Sequence, residues 1–112
     1  MDAPDLFGAF ANPIRLRILN LLQGRKEICV CDLCEVLSVA QPKVSRHLAV
    51  LRDAELVQVR REGRWKFYSL AEAPTAVHRT LLRCVRTCLM ELGEPVADRE
   101  RLAALEPRLR CT

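Results

Sequence analysis

Apolar positions at the start of the chain recur every three or four residues, which predicts two successive helices. An Asn-Pro pair at residues 12–13 is typical of a helix N-cap followed by proline at the first helical position, and Gly24 predicts the end of that helix. Its apolar face carries Ile14, Ile18, Leu21 and Leu22. A shorter apolar helix is predicted over residues 5–11, and it needs a partner surface because it is too hydrophobic to stand alone in water.

Two further helices are predicted over residues 31–54. The segment ICVCDLCEVL contains a short helix in which Asp32 is the expected N-cap and which ends near Leu37. A brief connection at residues 38–40 leads to a second helix, which Pro42 opens. Its inward face is predicted to carry Val44, Leu48 and Leu51. Two helices joined by such a turn, the second rich in polar side chains, are typical of a helix-turn-helix.

The period of the apolar pattern changes from helical to alternating over residues 56–70, which predicts a β-hairpin. We predict a three-residue loop, Glu62 to Arg64, that pairs residue 61 with 65, 59 with 67 and 57 with 69. In this register one face carries Val57, Val59, Trp65 and Phe67, and the other carries Gln58, Arg60, Lys66 and Tyr68. The expected fold is therefore mainly α with a small β-hairpin: a winged helix-turn-helix of order α-α-α-α-β-β-α.

Helical periodicity returns after the hairpin. A long amphipathic helix is predicted over about residues 74–92 and a short tail helix over about residues 95–106. The apolar stripe of the long helix comprises Val77, Leu81, Cys84, Val85, Cys88 and Leu92. The helices at the two ends expose more apolar surface than one small domain of 112 residues can cover. We therefore expect a homodimer that packs the terminal helices and sets two recognition helices about one DNA turn apart.

Charge is concentrated in one part of the chain. Residues 38–70 contain seven basic and three acidic side chains, whereas the remainder contains 11 of each, so this window holds the whole formal net charge of +4. Such a concentration favours a nucleic-acid contact face, the alternative being an ordinary solvated face. No apolar run approaches the roughly 20 residues needed to cross a bilayer, and the acidic N-terminus does not resemble a signal peptide. We expect a cytoplasmic protein with reduced thiols.

Three cysteines, Cys29, Cys31 and Cys34, lie within six residues of one another and suggest a site for a soft ion. Trivalent arsenic and antimony form three bonds to sulfur in a trigonal pyramid, so three thiolates complete their coordination. Structural zinc requires a fourth ligand from elsewhere. A disulfide is disfavoured by a reducing compartment and by the C-x-C spacing, whereas C-x-x-C at residues 31 and 34 leaves a redox switch open. Buried packing of three small apolar residues is a further alternative.

The motifs C-V-C-D-L-C and Q-P-K-V-S-R-H-L, in this order, resemble the arsenic-sensing branch of the ArsR/SmtB family of winged-helix metalloregulatory repressors. The resemblance implies a dimer that binds double-stranded operator DNA and leaves it when As(III) or Sb(III) binds Cys29, Cys31 and Cys34. It implies DNA contacts from two groups of side chains. These are Gln41, Lys43, Ser45, Arg46 and His47 in the recognition helix, and Arg60, Arg61, Arg64 and Lys66 in the wing.

Other functions remain open at this stage. A zinc- or cadmium-responsive repressor of the same fold and a thiol-disulfide redox sensor are the alternatives. Cys84 and Cys88, four residues apart on a helix, could form a second thiol site, although packing on the apolar stripe is favoured. An enzyme is not expected, and no catalytic cofactor, because two histidines and scattered acids do not assemble a nucleophile, a base and an orienting group.

Overall fold

The computed structural model describes residues 2–87 and 94–105. The elements are α1 (Ala3–Phe10), α2 (Pro13–Gln23), β1 (Ile28–Cys29), α3 (Val30–Leu37), α4 (Gln41–Asp53), β2 (Val57–Glu62), β3 (Trp65–Leu70), α5 (Ala76–Thr87) and α6 (Glu94–Leu105). The predicted winged helix-turn-helix is confirmed, and the structure adds β1, a two-residue strand directly before α3. Among the described helices, none has the length and apolarity to cross a membrane.

Helix α2 runs through the centre of the core. Asn12 caps it as predicted, with Oδ1 accepting hydrogen bonds from the backbone N–H groups of Ile14 at 2.9 Å and Arg15 at 3.1 Å. The buried apolar residues of the helix are Ile18, Leu19, Leu21 and Leu22. Helices α3 and α4 pack against it, and the inward face of α4 carries the predicted residues Val44, Leu48 and Leu51, all fully buried. The core therefore holds the helix-turn-helix as one packed unit.

The start of α3 differs from the prediction. The N-cap is Cys29, whereas Asp32 lies inside the first turn and is buried. The reason is that Ile28 and Cys29 pair with β3, so the chain passes directly from a strand into the helix. The helix ends at Leu37 as expected, and Ser38 follows in the left-handed conformation with φ of 56°.

The wing hairpin also differs from the prediction. Its loop has two residues, Gly63 and Arg64, because Glu62 pairs with Trp65. Gly63 has φ of 60°, and a positive φ at the first central position alone is the pattern of a type II′ turn, which favours glycine there. The predicted three-residue loop from Glu62 to Arg64 is therefore wrong, as are the predicted pairs 61 with 65, 59 with 67 and 57 with 69.

The shorter loop exchanges the two faces of β3 relative to β2. Val57 lies opposite Leu70 and Val59 opposite Tyr68, while Arg60 lies opposite Phe67. The predicted register places the aromatic residues at positions 65 and 67 on the same face as the valines. That prediction is wrong, because the observed register places them on the opposite face. Both Phe67 and Tyr68 are nevertheless buried, because β3 is the central strand of the order β1-β3-β2 and the helices pack on the sheet. Alternation of apolar residues could not reveal the register, since both sides of this strand are covered.

Helix α5 presents a different inward face from the predicted stripe. His78, Leu82 and Val85 are buried, whereas Val77 and Cys84 are exposed. His78 is accommodated inside because its Nε2 donates to the carbonyl of Ala54 at 3.0 Å, a contact that hydropathy does not predict. Residues 88 and 92 of the predicted stripe, and the end of the predicted helix 74–92, lie outside the described residues.

A buried carboxylate joins α6 to the helix-turn-helix. Asp98 is fully buried and accepts two hydrogen bonds from Arg17, at 2.8 and 2.9 Å, and another from Arg101. The same two arginines donate to the carbonyls of Leu37 and Val36 at the end of α3, at 3.4 and 3.1 Å. Helix α6 thus closes over the carbonyl end of α3 through paired charges, which satisfies groups that a helix terminus leaves without intrahelical partners.

Replacing this carboxylate should weaken the fold. Asp98→Ala leaves the Arg17 guanidinium, whose side chain is 16% exposed, without its bidentate partner. We expect the free energy of unfolding to fall by about 3 kcal/mol, the lower end for breaking a buried pair because Arg101 is half exposed. Urea unfolding followed by circular dichroism, at one protein concentration, measures the change. Glu100→Ala removes an exposed carboxylate from the same helix and should leave the midpoint unchanged; equal losses in both variants would argue against the Asp98 network.

Candidate thiol site and nucleic-acid interface

Two cysteine sulfurs meet where β1 joins α3. Cys29 is buried at the end of the strand and Cys31 lies in the first turn of the helix, with 2.9 Å between the Sγ atoms. A carboxylate oxygen of Asp32 joins them, and the three ligand atoms all lie within 4.8 Å of one another. Among the described cysteines, Cys29, Cys31, Cys34 and Cys84 are not joined in disulfides. Two sulfur ligands and a carboxylate beside the N-terminus of a helix form a donor set that could hold a soft cation.

Cys34 lies about one helical turn further along α3 and is not part of that three-atom group. Its side chain is half-buried, and burial raises the pKa of the Cys34 thiol above its usual range, with the nearby Cys29 contributing in the same direction. The structure therefore brings together two of the three cysteines singled out from the sequence. Sequence reasoning did not include Asp32 as a ligand, because it assigned that residue to the helix cap.

The residues suggested as a second thiol site are not adjacent to this cluster in the chain. Cys84 is exposed on α5, and position 88 lies outside the described residues. On the same helix, Val77 is also exposed and Leu81 is half-buried. A solvent-facing stripe of this kind is compatible with the predicted dimer contact, which stays a prediction.

The outer face of α4 carries all five side chains predicted to contact DNA. Gln41, Lys43 and Arg46 are exposed, and Ser45 and His47 are partly exposed. The inward face of the same helix is fully packed, so these five side chains form a polar surface on a rigid support. Such a surface matches a recognition helix, whose first turns enter the major groove.

Sequence reasoning missed Arg15, which connects α1 to the recognition helix. Its guanidinium donates from Nε to the carbonyl of Ala9 at 2.8 Å and from Nη2 to that of Gly8 at 3.1 Å. Its Nη1 lies 3.1 Å from Nδ1 of His47. The available signal was a cation in the first turn of α2, where the helix dipole is unfavourable to positive charge unless a specific partner is present.

The tip of the wing carries three of its four predicted DNA-contacting residues. Arg61 and Arg64 are exposed and Lys66 is partly exposed, with Arg64 lying over the ring of Trp65 at 5.0 Å. These positive side chains lie at the free end of the hairpin. A wing of this kind can approach the phosphate backbone beside the groove that the recognition helix enters.

The fourth, Arg60, is already paired. It forms ion pairs with Glu27 at 2.6 Å and Glu62 at 2.8 Å, and its guanidinium lies 4.5 Å from the ring centre of Phe67. The hydrogen bond from Arg60 holds the pKa of Glu27 below its usual range, and the same pairs raise the pKa of the guanidinium. The charge of Arg60 is therefore balanced by two carboxylates within the protein, and this distinguishes it from the exposed side chains Arg61 and Arg64 at the tip.

A row of side chains across the sheet connects the thiol site to the wing. Cys29 of β1 pairs with Phe67 of β3, which pairs with Arg60 of β2. Residues that pair directly across strands share a face of the sheet. A displacement of Cys29 would therefore shift Phe67, which lies beside Arg60 on the same face of the sheet.

These features define a winged helix-turn-helix protein with a thiol cluster at the start of the helix that precedes its predicted recognition helix. Residues 12–59 match the model of the family described as "Bacterial regulatory protein, arsR family". A relative from Pseudomonas putida, "Arsenic resistance transcriptional regulator ArsR2", is 42% identical over 79 residues, which cover 70% of this chain and 69% of the relative. The chain belongs to the arsR family. Since the family consists of regulators, the expectation that the protein is not an enzyme is confirmed at this level.

The names of other relatives refer to resistance to different elements. The "Arsenical resistance operon repressor" of Escherichia coli is 48% identical over 67 residues, which cover 60% of this chain and 57% of the relative. The chain thus spans little more than half the length of that protein. A "Cadmium resistance transcriptional regulatory protein CadC homolog" of Staphylococcus aureus is 31% identical over 70 residues, 62% of this chain and 58% of that protein. Among solved structures, HlyU from Vibrio cholerae has a TM-score of 0.65 and 33% identity over 81% of this chain and 90% of that one.

The burial of Cys34 has a measurable consequence. With its pKa raised, the Cys34 thiol stays protonated at neutral pH, so iodoacetamide should alkylate it more slowly at pH 7.5 than the exposed Cys84. Its rate should continue to increase at pH values where an ordinary cysteine has fully ionised. Fragment-ion mass spectrometry of timed digests measures each rate, and urea-unfolded protein provides the reference. A Cys34 that reacts as fast as Cys84 would contradict the effect of burial.

Proposed function

We propose that the protein is an arsenic-responsive transcriptional repressor. In this proposal a homodimer without inducer binds double-stranded operator DNA through α4 and the wing. Binding of As(III) or Sb(III) by Cys29, Cys31 and Cys34 then releases it. The names of the E. coli and P. putida relatives support a response to arsenic. The observation that carries the proposal is the contact of two thiols at the strand-to-helix junction, one helix before the DNA-facing surface.

The third ligand explains how binding could change the structure. Cys29 and Cys31 are already in contact, whereas Cys34 lies outside their group. A trivalent ion that takes three sulfurs must draw Cys34 toward the other two. This movement deforms the first two turns of α3, because all three cysteines lie between the N-cap and the second turn. The ion-free and ion-bound shapes of α3 are therefore expected to differ.

Deformation of α3 can reach the recognition helix through the turn between them. The carbonyl of Cys34 accepts a hydrogen bond from the N–H of Val39 at 3.2 Å, and that of Glu35 accepts one from Ser38 at 3.3 Å. Helix α4 begins two residues after Val39. A change at Cys34 thus acts on the hydrogen bonds that orient α4. Coupling of about 1–3 kcal/mol between the two sites would weaken DNA binding some 5- to 150-fold.

A second route leads from the thiol site to the wing. The backbone of Cys29 pairs with β3, and Glu27, two residues before it, holds Arg60 of β2. Movement of Cys29, the N-cap of α3, would therefore also shift the hairpin that carries Arg61 and Arg64. Both parts of the proposed DNA surface are connected to the same few residues, which supports a single switch for the two.

A cadmium- or zinc-responsive repressor is the second candidate. The carboxylate of Asp32 within the ligand group favours it, since divalent ions accept an oxygen ligand beside sulfur, and a relative is named for cadmium resistance. A redox sensor would require a reversible disulfide. Titrating the DNA-bound protein with arsenite, antimonite, Cd(II), Zn(II) and peroxide distinguishes the three candidate functions by which compound releases the DNA.

The central test separates DNA binding from induction. A duplex is first selected from a random-sequence pool with the ion-free protein, and its binding is measured by fluorescence anisotropy. Cys31→Ser and Cys34→Ser should bind this selected duplex with affinity similar to that of the unaltered protein, because neither residue is placed at the DNA surface. Neither variant should release it at arsenite concentrations that release the unaltered protein, because two sulfurs cannot complete a three-sulfur site.

Cys84→Ser is the matched control for this test. It removes an exposed thiol on α5, so arsenite should still release the selected duplex. Release from Cys34→Ser at the same arsenite concentration would refute the three-cysteine site. Release by Cd(II) and not by arsenite would favour the second candidate.

The protonated thiol of Cys34 also distinguishes the inducers by their proton balance. When arsenous acid binds, each As–O bond is replaced by an As–S bond and the hydroxide leaves as water with the thiol proton, so no proton is released. Cd(II) instead displaces a proton from each thiol that it binds. We expect arsenite affinity to be nearly constant from pH 6 to 7.5 and Cd(II) binding to strengthen as the pH rises. A pH indicator in weakly buffered solution measures the release, and uptake of protons on arsenite binding would contradict a protonated Cys34.

A further inference from the structure

The contact between Arg15 and His47 determines which nitrogen of the histidine ring carries a proton. A guanidinium has only donors, so the nitrogen facing Nη1 of Arg15 at 3.1 Å must be an acceptor. Nδ1 of His47 therefore carries no proton. The imidazole is then neutral, with its proton on Nε2.

The surroundings of the ring agree with this assignment. Partial burial lowers the pKa of His47 below its usual range, and the positive charges of Arg15, Lys43 and Arg46 lower it further. Arg15 itself is fixed by the carbonyls of Gly8 and Ala9 at the end of α1. Its guanidinium cannot turn away from His47 without breaking these bonds. The ring is thus held from behind by a side chain anchored on another helix.

We infer that Arg15 is a positioning residue that presents His47 to DNA as a neutral hydrogen-bond donor through Nε2, directed at a base acceptor in the major groove. This inference rests on the proposed function, since it assigns a role within the DNA complex. Within the described residues only Nδ1 of His47 makes a hydrogen bond, which leaves the Nε2–H for an external acceptor. A neutral ring adds no charge for phosphate neutralisation, so its contribution is to sequence preference.

The chemistry of base edges makes the inference specific. In the major groove, guanine, adenine and thymine each offer an acceptor, whereas cytosine offers only its amino donor. The base facing His47 should therefore be any base except cytosine. A neutral ring with its proton on Nδ1 would instead present Nε2 as an acceptor and could accept from the amino group of cytosine, but in the geometry observed that proton would face the guanidinium of Arg15.

The first experiment needs no DNA. Nitrogen-15 spectra of the two imidazoles in the full chain report the tautomer of each ring, and His78, whose Nε2 donates to a carbonyl, is the internal reference. His47 should be in the neutral Nε2–H form at pH 7. In Arg15→Met it should become a mixture of tautomers and protonate at higher pH, while His78 is unchanged. Arg15→Lys, which retains the charge, provides a second variant in case Arg15→Met unfolds. An Nδ1–H tautomer or an imidazolium in the unaltered protein at pH 7 overturns the inference.

The second experiment tests the base contact. Duplexes selected from a random pool by the unaltered protein should show one position in each half-site that disfavours cytosine by about fivefold or more. His47→Ala should accept all four bases there, and Arg15→Met should lose part of the preference. Identical preferences for the unaltered protein and His47→Ala overturn the inference. If the unaltered protein enriches no duplex, the proposed function and this base contact both fail, whereas the nitrogen-15 spectra still decide whether Arg15 sets the tautomer.

Discussion

The pairing of β1 with β3 is the contact on which the candidate site depends. Two residues, Ile28 and Cys29, lie opposite Tyr68 and Phe67, and this short ladder determines where α3 can begin. It makes Cys29 the N-cap, brings its sulfur against that of Cys31 and places both beside the positive end of the helix dipole. The same pairs connect the site to the wing. A strand of two residues therefore links the soft-ion chemistry to both parts of the proposed DNA surface.

Arginine side chains act as internal connections in this protein as well as surface charges. Arg17 and Arg101 hold Asp98 and the end of α3, and Arg15 ties α1 to His47. Arg60 is paired with two carboxylates. The planar fork of guanidinium donors suits these roles, since one side chain can bond groups on several elements. The net positive charge of the window 38–70 consequently overstates the charge that is free to meet phosphate.

Helix positions and the inward face of α4 were predictable because their signals are local. Asn12 and Pro13 mark a helix start, and Val44, Leu48 and Leu51 recur at helical spacing. The wing register was not predictable from apolar alternation. Its central strand is covered on both sides, so the adjacent residues Phe67 and Tyr68 are both buried. The apolar pattern therefore does not indicate which residues of this strand share a face with the valines of β2. The glycine at position 63 was a better sequence signal for the register, because a two-residue type II′ turn requires a positive φ at that position.

By itself the sequence determined the succession of helices, the winged helix-turn-helix and the presence of three thiols before a recognition helix. These follow from periodicity and short-range spacing, which act within one or two turns of the chain. Only the tertiary structure decided which thiols meet, that Asp32 joins them and Cys34 does not, and that Arg15 faces His47. Such contacts join residues that are distant in sequence, or depend on where a distant strand fixes a helix start. Their geometry is set by packing, which local residue preferences do not specify.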